Sequence, residues 1–147
     1  MRHAEADFTS RDFDRPLTPW GRDQATAEGK KLVSKGLIPN LIIYSAAQRT
    51  TETMNLVSAS MTTPKQASRE LYNSHPKTIL EVINNTDDSI ETLLLIAHNP
   101  GISIIANKLC SDNAYYGFSP SDWHVLNFET NHWSEVCIVT GIPENHE

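Results

Sequence analysis

Hydrophobic positions in this chain occur as short continuous runs and as helix-like stripes. The runs at 41–44 and 93–97 are apolar at every position, a pattern typical of strands covered on both faces in a parallel sheet. Glu70-Leu71-Tyr72 is a third, shorter strand candidate. Segments 123–128 and 135–140 are also strand-like, and the polar turn at 130–132 between them predicts a C-terminal antiparallel hairpin.

Helix-like segments separate these strands. Thr18 followed by Pro19 predicts a helix start, because threonine caps helix N-termini and proline fits the first turn. Ser45 is expected to cap the next helix in the same way. The predicted helices are 18–36, 45–61, 75–83 and 99–109. The alternation predicts an α/β fold, a three-layer α/β/α sandwich with a mostly parallel central sheet.

Composition limits the domain organisation and the classes of function. The 147 residues are expected to form one domain, 1–147, because no shift in composition marks a boundary. A net charge of -6 argues against nucleic-acid binding, and the apolar runs are far too short to cross a membrane. The two cysteines, Cys110 and Cys137, lie in apolar patterns and are expected to be buried free thiols, which favours the cytoplasm.

Candidate chemistry lies where the predicted strands end, since ligands of parallel sheets bind beyond the carboxyl ends of the strands. His98 follows one such strand, and Asn99-Pro100-Gly101 places a helix N-terminus beside it, which attracts an anion. Arg49 lies in the first turns of the helix after Ser45 and can reach the same edge. Together with Arg2-His3, these residues suggest a phosphate pocket in which a neutral imidazole can attack phosphorus.

Each of these residues also has a simpler interpretation. Arg49 can be a surface arginine paired with Glu52 or Asp23, and His98 can be a half-buried histidine bonded to backbone. Arg2-His3 can be a frayed terminus. The spacing of the acidic residues after His3 matches no tight metal site, so neither a metal nor a cofactor is expected.

Four motifs in register resemble the histidine phosphatase superfamily, specifically its short SixA-like phosphohistidine phosphatase branch, over nearly the whole chain. The motifs are Arg2-His3-Ala4-Glu5-Ala6, Arg15-Pro16-Leu17-Thr18-Pro19-Trp20-Gly21, Ser45-Ala46-Ala47-Gln48-Arg49-Thr50 and His98-Asn99-Pro100-Gly101. The resemblance implies a phosphoglycerate mutase-like fold. It also implies that His3 is the nucleophile and becomes transiently phosphorylated.

By the same resemblance, three side chains bind the transferring phosphoryl group: Arg2, Arg49 and His98. Asn99 and Arg15 are further candidates for substrate binding, and Arg15 is also expected to tie down the loop before Thr18.

Larger members of the superfamily carry an acid after the third strand that protonates the leaving group. Here Asn73 lies in that region and has no proton to give. An imidazole leaving group needs less help from an acid than an alkoxide does, so this difference favours phosphohistidine as substrate. Glu70 or Glu5 could replace the acid and restore activity on phosphoesters; the alternative for both is solvated surface charge.

The chain departs from the family pattern at its start. Family members have a strand before the Arg-His pair, whereas Met1 alone precedes it here. The first strand therefore looks missing from this chain, as expected if its start lies downstream of the true one. The expected consequence is a disordered His3 region, or one completed by exchange with another molecule or by a rearranged segment.

Three functions are compatible with these residues. The first is a metal-independent phosphatase acting on a phosphohistidine-bearing protein, such as a phosphorelay component. The second is a small-molecule phosphomonoesterase, and the third is a noncatalytic module that binds phosphoproteins.

Overall fold

The computed structural model describes residues 1–112 and 117–144. Within them the α-helices are α1 (Pro19–Ser34), α2 (Gln48–Val57), α3 (Pro76–Asn84) and α4 (Gly101–Leu109). The strands are β1 (Leu41–Ser45), β2 (Lys65–Ser68), β3 (Leu93–Ile96), β4 (Leu126–Asn127) and β5 (Ile142–Pro143).

A parallel sheet in the order β2-β1-β3 forms the centre of the fold. The two apolar runs of the sequence are β1 and β3, as predicted. The prediction of a strand at Glu70–Tyr72 is wrong, because these residues form a turn and the strand is β2, which lies just before them. β2 is an edge strand with mostly exposed residues, so it carries no apolar run for a sequence pattern to detect.

Helices cover both faces of this sheet. Side chains of β1 and β3 alternate between the faces: Ile42 and Ile96 pack in one core with α1 and α2. Ile43 and Leu95 pack in the other with α3 and α4. The structure confirms the predicted α/β sandwich. All four predicted helices are present: α1, α2 and α4 are shorter than predicted, and α3 is shifted by one residue.

Two glycines permit close backbone approaches near the carboxyl edge of the sheet. A Cβ at Gly21 would lie 2.1 Å from the carbonyl oxygen of Glu5, and one at Gly101 would lie 2.5 Å from that of Ser74. Such distances are closer than any real contact, so only glycine fits. The first approach brings the start of α1 against the segment after His3, and the second brings the start of α4 against the turn before α3.

Residues 1–3 lie beside the end of β3. The Met1 amine donates to the Leu95 carbonyl at 2.9 Å, Ala97 N donates to Met1 O at 3.1 Å, and His3 N donates to Ala97 O at 3.1 Å. The expectation of a disordered or exchanged His3 region is therefore wrong. These few backbone bonds to β3 are enough to place His3 within its own chain.

The C-terminal region differs from its predicted hairpin. β4 does pair antiparallel with a later strand, but Leu126 lies opposite Pro143, and the partner is β5. The predicted strand at 135–140 is wrong, since a 3-10 turn ends at Glu135 and residues 136–140 form a turn and irregular structure. The Asn84 side chain donates to the carbonyls of Trp133 and Val136 at 2.8 and 2.9 Å, which holds this segment against α3 instead of in a ladder.

The two cysteines differ in burial. Cys110 is a buried free thiol, as expected, whereas Cys137 is exposed, which corrects the prediction for that residue. Its segment reads as apolar in sequence but does not form a core strand. Among the described residues, no helix has the length and apolar character needed to cross a bilayer.

Candidate active site

The carboxyl ends of β1 and β3 bring two histidines together. His98 follows β3, His3 lies beside it, and their ring centroids are 5.2 Å apart at an interplanar angle of 55°. Both side chains are buried, with 8% of His3 and 5% of His98 exposed. Two imidazoles far apart in sequence thus form one site.

Backbone contacts fix the tautomer of His3. Its Nδ1 lies 2.6 Å from the carbonyl oxygen of Ala4, and a carbonyl can only accept, so Nδ1 carries the proton. Burial lowers the pKa of His3 to about 4. The hydrogen bond to Ala4 raises this pKa in part, and the positive charges of Arg49 and Arg2 lower it further. At neutral pH the ring is uncharged, and Nε2 has a free lone pair.

Ser45 orients the second histidine. Its Oγ lies 2.7 Å from His98 Nε2. Burial first, then the charges of Arg49 and His3, lower the pKa of His98 to about 3. The prediction that Ser45 caps α2 is wrong: Ser45 is the last residue of β1, and Ala47 is the residue at the helix N-cap.

Arg49 lies in the first turn of α2 and is only 3% exposed. Its Nη1 donates to the Asp12 carbonyl at 2.6 Å, and its Nη2 lies 3.4 Å from Asp12 Oδ2. The alternative of a surface pair with Glu52 or Asp23 is wrong. Glu52 pairs with Arg22 at 3.5 Å instead.

Arg2 and Asn99 meet on one carbonyl. Arg2 Nη1 and Asn99 Nδ2 each donate to Phe118 O at 2.9 Å. Nearby, Ser121 N donates to the His3 carbonyl at 3.1 Å, and Arg2 N donates to that of Asp122 at 3.0 Å. Segment 118–122 therefore borders the site, a role that no pattern in its sequence indicates.

Four buried side-chain atoms in the described part of the chain have no hydrogen-bond partner: Arg2 Nε, Arg49 Nε, His98 Nδ1 and Ser121 Oγ. All belong to residues at this site. Buried polar groups nearly always have partners, and an unmade bond of this kind costs about 1 to 3 kcal/mol. The oxygens of a bound oxyanion would supply acceptors for the arginine N-H groups.

Asp12 and Tyr72 form the outer part of the site and were not anticipated from the sequence. The Tyr72 hydroxyl donates a short hydrogen bond to Asp12 Oδ2, and its ring meets that of His98 edge-on at 5.7 Å. Arg15 donates from Nη1 to Asp12 Oδ1 at 3.2 Å and from Nε to the Asp7 carbonyl at 2.5 Å. Arg15 therefore ties down its loop and touches the site through Asp12.

Neither glutamate considered as an acid is built into this cluster. Glu5 is exposed, and its carboxylate accepts a bond of 2.8 Å from the Thr18 hydroxyl. Glu70 and Asn73 are exposed in the turn after β2. Across residues 1–112 and 117–144, no three His, Cys, Asp or Glu side chains are grouped so that they could hold a metal ion.

This arrangement defines a class of protein: an α/β protein whose site joins two histidines and two arginines beyond the ends of parallel strands. Residues 1–76 match the sequence model of the histidine phosphatase superfamily (branch 1). The chain belongs to that superfamily.

Two relatives show the extent of sequence similarity. An uncharacterized protein of Mycobacterium tuberculosis is 33% identical over 113 residues, which cover 76% of this chain and 70% of that one. The serine/threonine-protein phosphatase PGAM5 of Xenopus tropicalis is 45% identical over 60 residues, 41% of this chain and 22% of its own length.

Solved structures give the same fold. A SixA protein from Nakamurella multipartitia superposes with a TM-score of 0.89 at 25% identity, covering 99% of this chain and 91% of its own. The protein histidine phosphatase SixA in complex with tungstate has a TM-score of 0.79 at 21% identity, covering 87% and 85%.

Acid is expected to destabilise the folded protein. The folded chain holds His3 and His98 neutral, with pKa values of about 4 and 3, whereas a solvated histidine has a pKa of about 6.5. Between those values the unfolded chain binds more protons, so the free energy of unfolding falls as the pH falls, by up to about 1.4 kcal/mol per pH unit for each histidine.

Urea unfolding at pH 7 and pH 5 measures this dependence. Burial also lowers the pKa of the Met1 amine to about 5, so this amine adds to the same pH dependence of the free energy of unfolding. A His98→Asn variant therefore separates the contribution of one histidine from the rest. That variant should show a shallower pH dependence than the wild type. An equal slope in the two proteins would contradict the assignment of a neutral buried His98.

Proposed function

We propose that this protein removes the phosphoryl group from phosphohistidine in a partner protein, such as a phosphorelay component, through a phosphorylated His3. The observation that carries the proposal is the state of His3. It is neutral and buried, its Nδ1 is bonded to Ala4, and its ring centroid lies 5.2 Å from that of His98. A neutral imidazole in this state is a nucleophile for phosphorus.

The proposed reaction has two transfers. The His3 Nε2 lone pair forms a bond to phosphorus while the bond from phosphorus to the substrate nitrogen breaks, and that electron pair stays on the departing imidazole. Water then attacks phosphorus, the electron pair of the second P-N bond returns to Nε2, and both protons of the water stay on the released phosphate. Arg2, Arg49 and His98 are proposed to stabilise the equatorial oxygens, and no step uses a metal ion.

The substrate class follows from the missing acid. Asn73 cannot donate a proton, Glu5 is engaged by Thr18, and Glu70 is solvent-exposed. A substrate with a good leaving group fits such a site, whereas an alkyl phosphoester does not. The fold likeness to the SixA proteins supports the same choice. We place the protein in the cytoplasm, where its two free thiols would stay reduced.

A phosphoester hydrolase is the second candidate, because the chain shares 45% identity over 60 residues with a protein named as a serine/threonine-protein phosphatase. A substrate panel separates the two. We expect kcat/KM on a phosphohistidine peptide to exceed that on the matched phosphoserine peptide by at least about 100-fold, the usual contribution of a general acid.

A preference for phosphoserine, or for small alkyl phosphates, would favour the phosphoesterase. Tungstate binding with no turnover of any substrate would instead identify a noncatalytic binding module.

A further inference from the structure

The rim of the site consists of Asp12, Phe13 and Tyr72. His3, Arg49 and His98 are buried. In contrast, 49% of the Asp12 side chain is exposed, Phe13 is exposed and Tyr72 is half-buried. A substrate enters from solvent, so a phosphoryl group held between His3 and Arg49 leaves its substituent at this rim. The chemistry of the rim therefore bears on the leaving group.

The rim carries a fixed negative charge. Asp12 accepts hydrogen bonds from the Tyr72 hydroxyl, Arg15 and Arg49, and these bonds, that of Tyr72 first, lower the pKa of Asp12 to about 2. An ionised carboxylate has no proton to donate, so Asp12 is not the missing general acid. By itself its charge repels a phosphoryl dianion, and a cationic group on the substrate would remove this cost.

We propose that Asp12 recognises the leaving imidazole by accepting a hydrogen bond from its protonated ring nitrogen, a specificity role that rests on the proposed function. Phosphohistidine that is protonated on its second ring nitrogen carries a positive ring next to the P-N bond. When that bond breaks, the electron pair goes to the nitrogen that held phosphorus. The ring then leaves as neutral imidazole, with no proton transferred in the step.

Tyr72 positions this carboxylate. Its hydroxyl donates to Asp12, the Phe13 ring packs edge-on against it at 5.0 Å, and its own edge-on contact with His98 ties the rim to the two histidines. Loss of the hydroxyl would leave Asp12 held by Arg15 and Arg49 alone, at 3.2 and 3.4 Å, and therefore less firmly positioned. Tyr72 is therefore assigned a positioning role.

The test compares two substrates in the full chain. Asp12→Asn keeps the shape of the side chain and removes its charge. We expect it to lower kcat/KM on a phosphohistidine peptide by about 10- to 100-fold, the range for a hydrogen bond to a charged group. On p-nitrophenyl phosphate, whose leaving group is an anion, the same variant should be unchanged or faster.

Two further variants sharpen the comparison. Asp14→Asn is the matched control, because Asp14 lies in the same turn and pairs with the exposed Arg11 at 3.4 Å. It should match the wild type on both substrates. Tyr72→Phe should shift the ratio of the two kcat/KM values in the same direction as Asp12→Asn, by a smaller factor, and it tests the assignment should Asp12→Asn fold poorly.

An equal loss on both substrates would overturn the assignment, because it would show that Asp12 only orients Arg49. An equal gain, with tighter tungstate binding, would also overturn it and identify Asp12 as a competitor for the phosphoryl site. If wild-type protein leaves the phosphohistidine peptide intact but hydrolyses p-nitrophenyl phosphate, the proposed function itself fails. An unchanged ratio in an active wild-type background overturns the role of Asp12 alone.

Discussion

Replacement of His3 by alanine is expected to remove phosphohistidine hydrolysis, with kcat lower by at least about 10⁴-fold, because the variant has no atom that can form the covalent intermediate. Ala4 and Thr53 hold the backbone around His3, with Ala4 N donating to Thr53 Oγ1 at 3.0 Å, so the loss should come from chemistry and not from unfolding. Rapid quench of the wild type with substrate should trap an acid-labile phosphoryl label that the variant lacks.

His75→Ala is the matched control, since His75 is an exposed histidine at the start of α3. It should retain both the label and the turnover. Turnover by His3→Ala at the wild-type rate would eliminate the covalent route through His3. A label retained by His3→Ala but lost in His98→Ala would reassign the nucleophile to His98.

Replacement of Arg49 by alanine is expected to lower kcat/KM by about 100- to 1000-fold, the typical cost of removing one donor to the developing charge. Arg49→Lys should recover only part of this loss. Lysine keeps the positive charge but lacks the planar guanidinium group, whose two terminal nitrogens contact Asp12 in the wild type. Steady-state kinetics together with tungstate inhibition measure both effects.

Arg22→Ala serves as the control for this series, since Arg22 is an exposed helical arginine that pairs with Glu52 at 3.5 Å. It should behave as the wild type does. A loss in Arg49→Ala below about fivefold, the scale of a surface ion pair, would show that Arg49 does not contact the reacting phosphoryl group.

The hydrophobic pattern of the sequence predicted strands correctly where both faces of the strand are buried. β1 and β3 are covered by helices on both faces, so each appears as a continuous apolar run. β2 and residues 135–140 show the converse. β2 is a strand with polar, exposed residues, because it lies at the edge of the sheet. Segment 135–140 is apolar but forms no strand, because Asn84 binds the carbonyls of Trp133 and Val136.

The site likewise contains contacts that the sequence predicted and contacts that it did not. Parallel topology alone predicts that Ser45 and His98 lie at one edge, and the structure places them 2.7 Å apart. The partner of Arg49 was not predictable, because Asp12 lies 37 positions earlier in a polar loop. Phe118 and Ser121 reach Arg2 and His3 through a loop whose path depends on the packing around it.

The order of residues by itself determined the alternation of strands and helices, the family motifs and the identity of the two imidazoles, because these depend on hydrophobic period and on chemistry carried by single residues. Only the tertiary structure decided that His3 is neutral with its Nε2 lone pair free, and that a carboxylate forms the rim of the site. Those features depend on burial and on hydrogen bonds between distant segments, and such contacts exist only when the chain is folded.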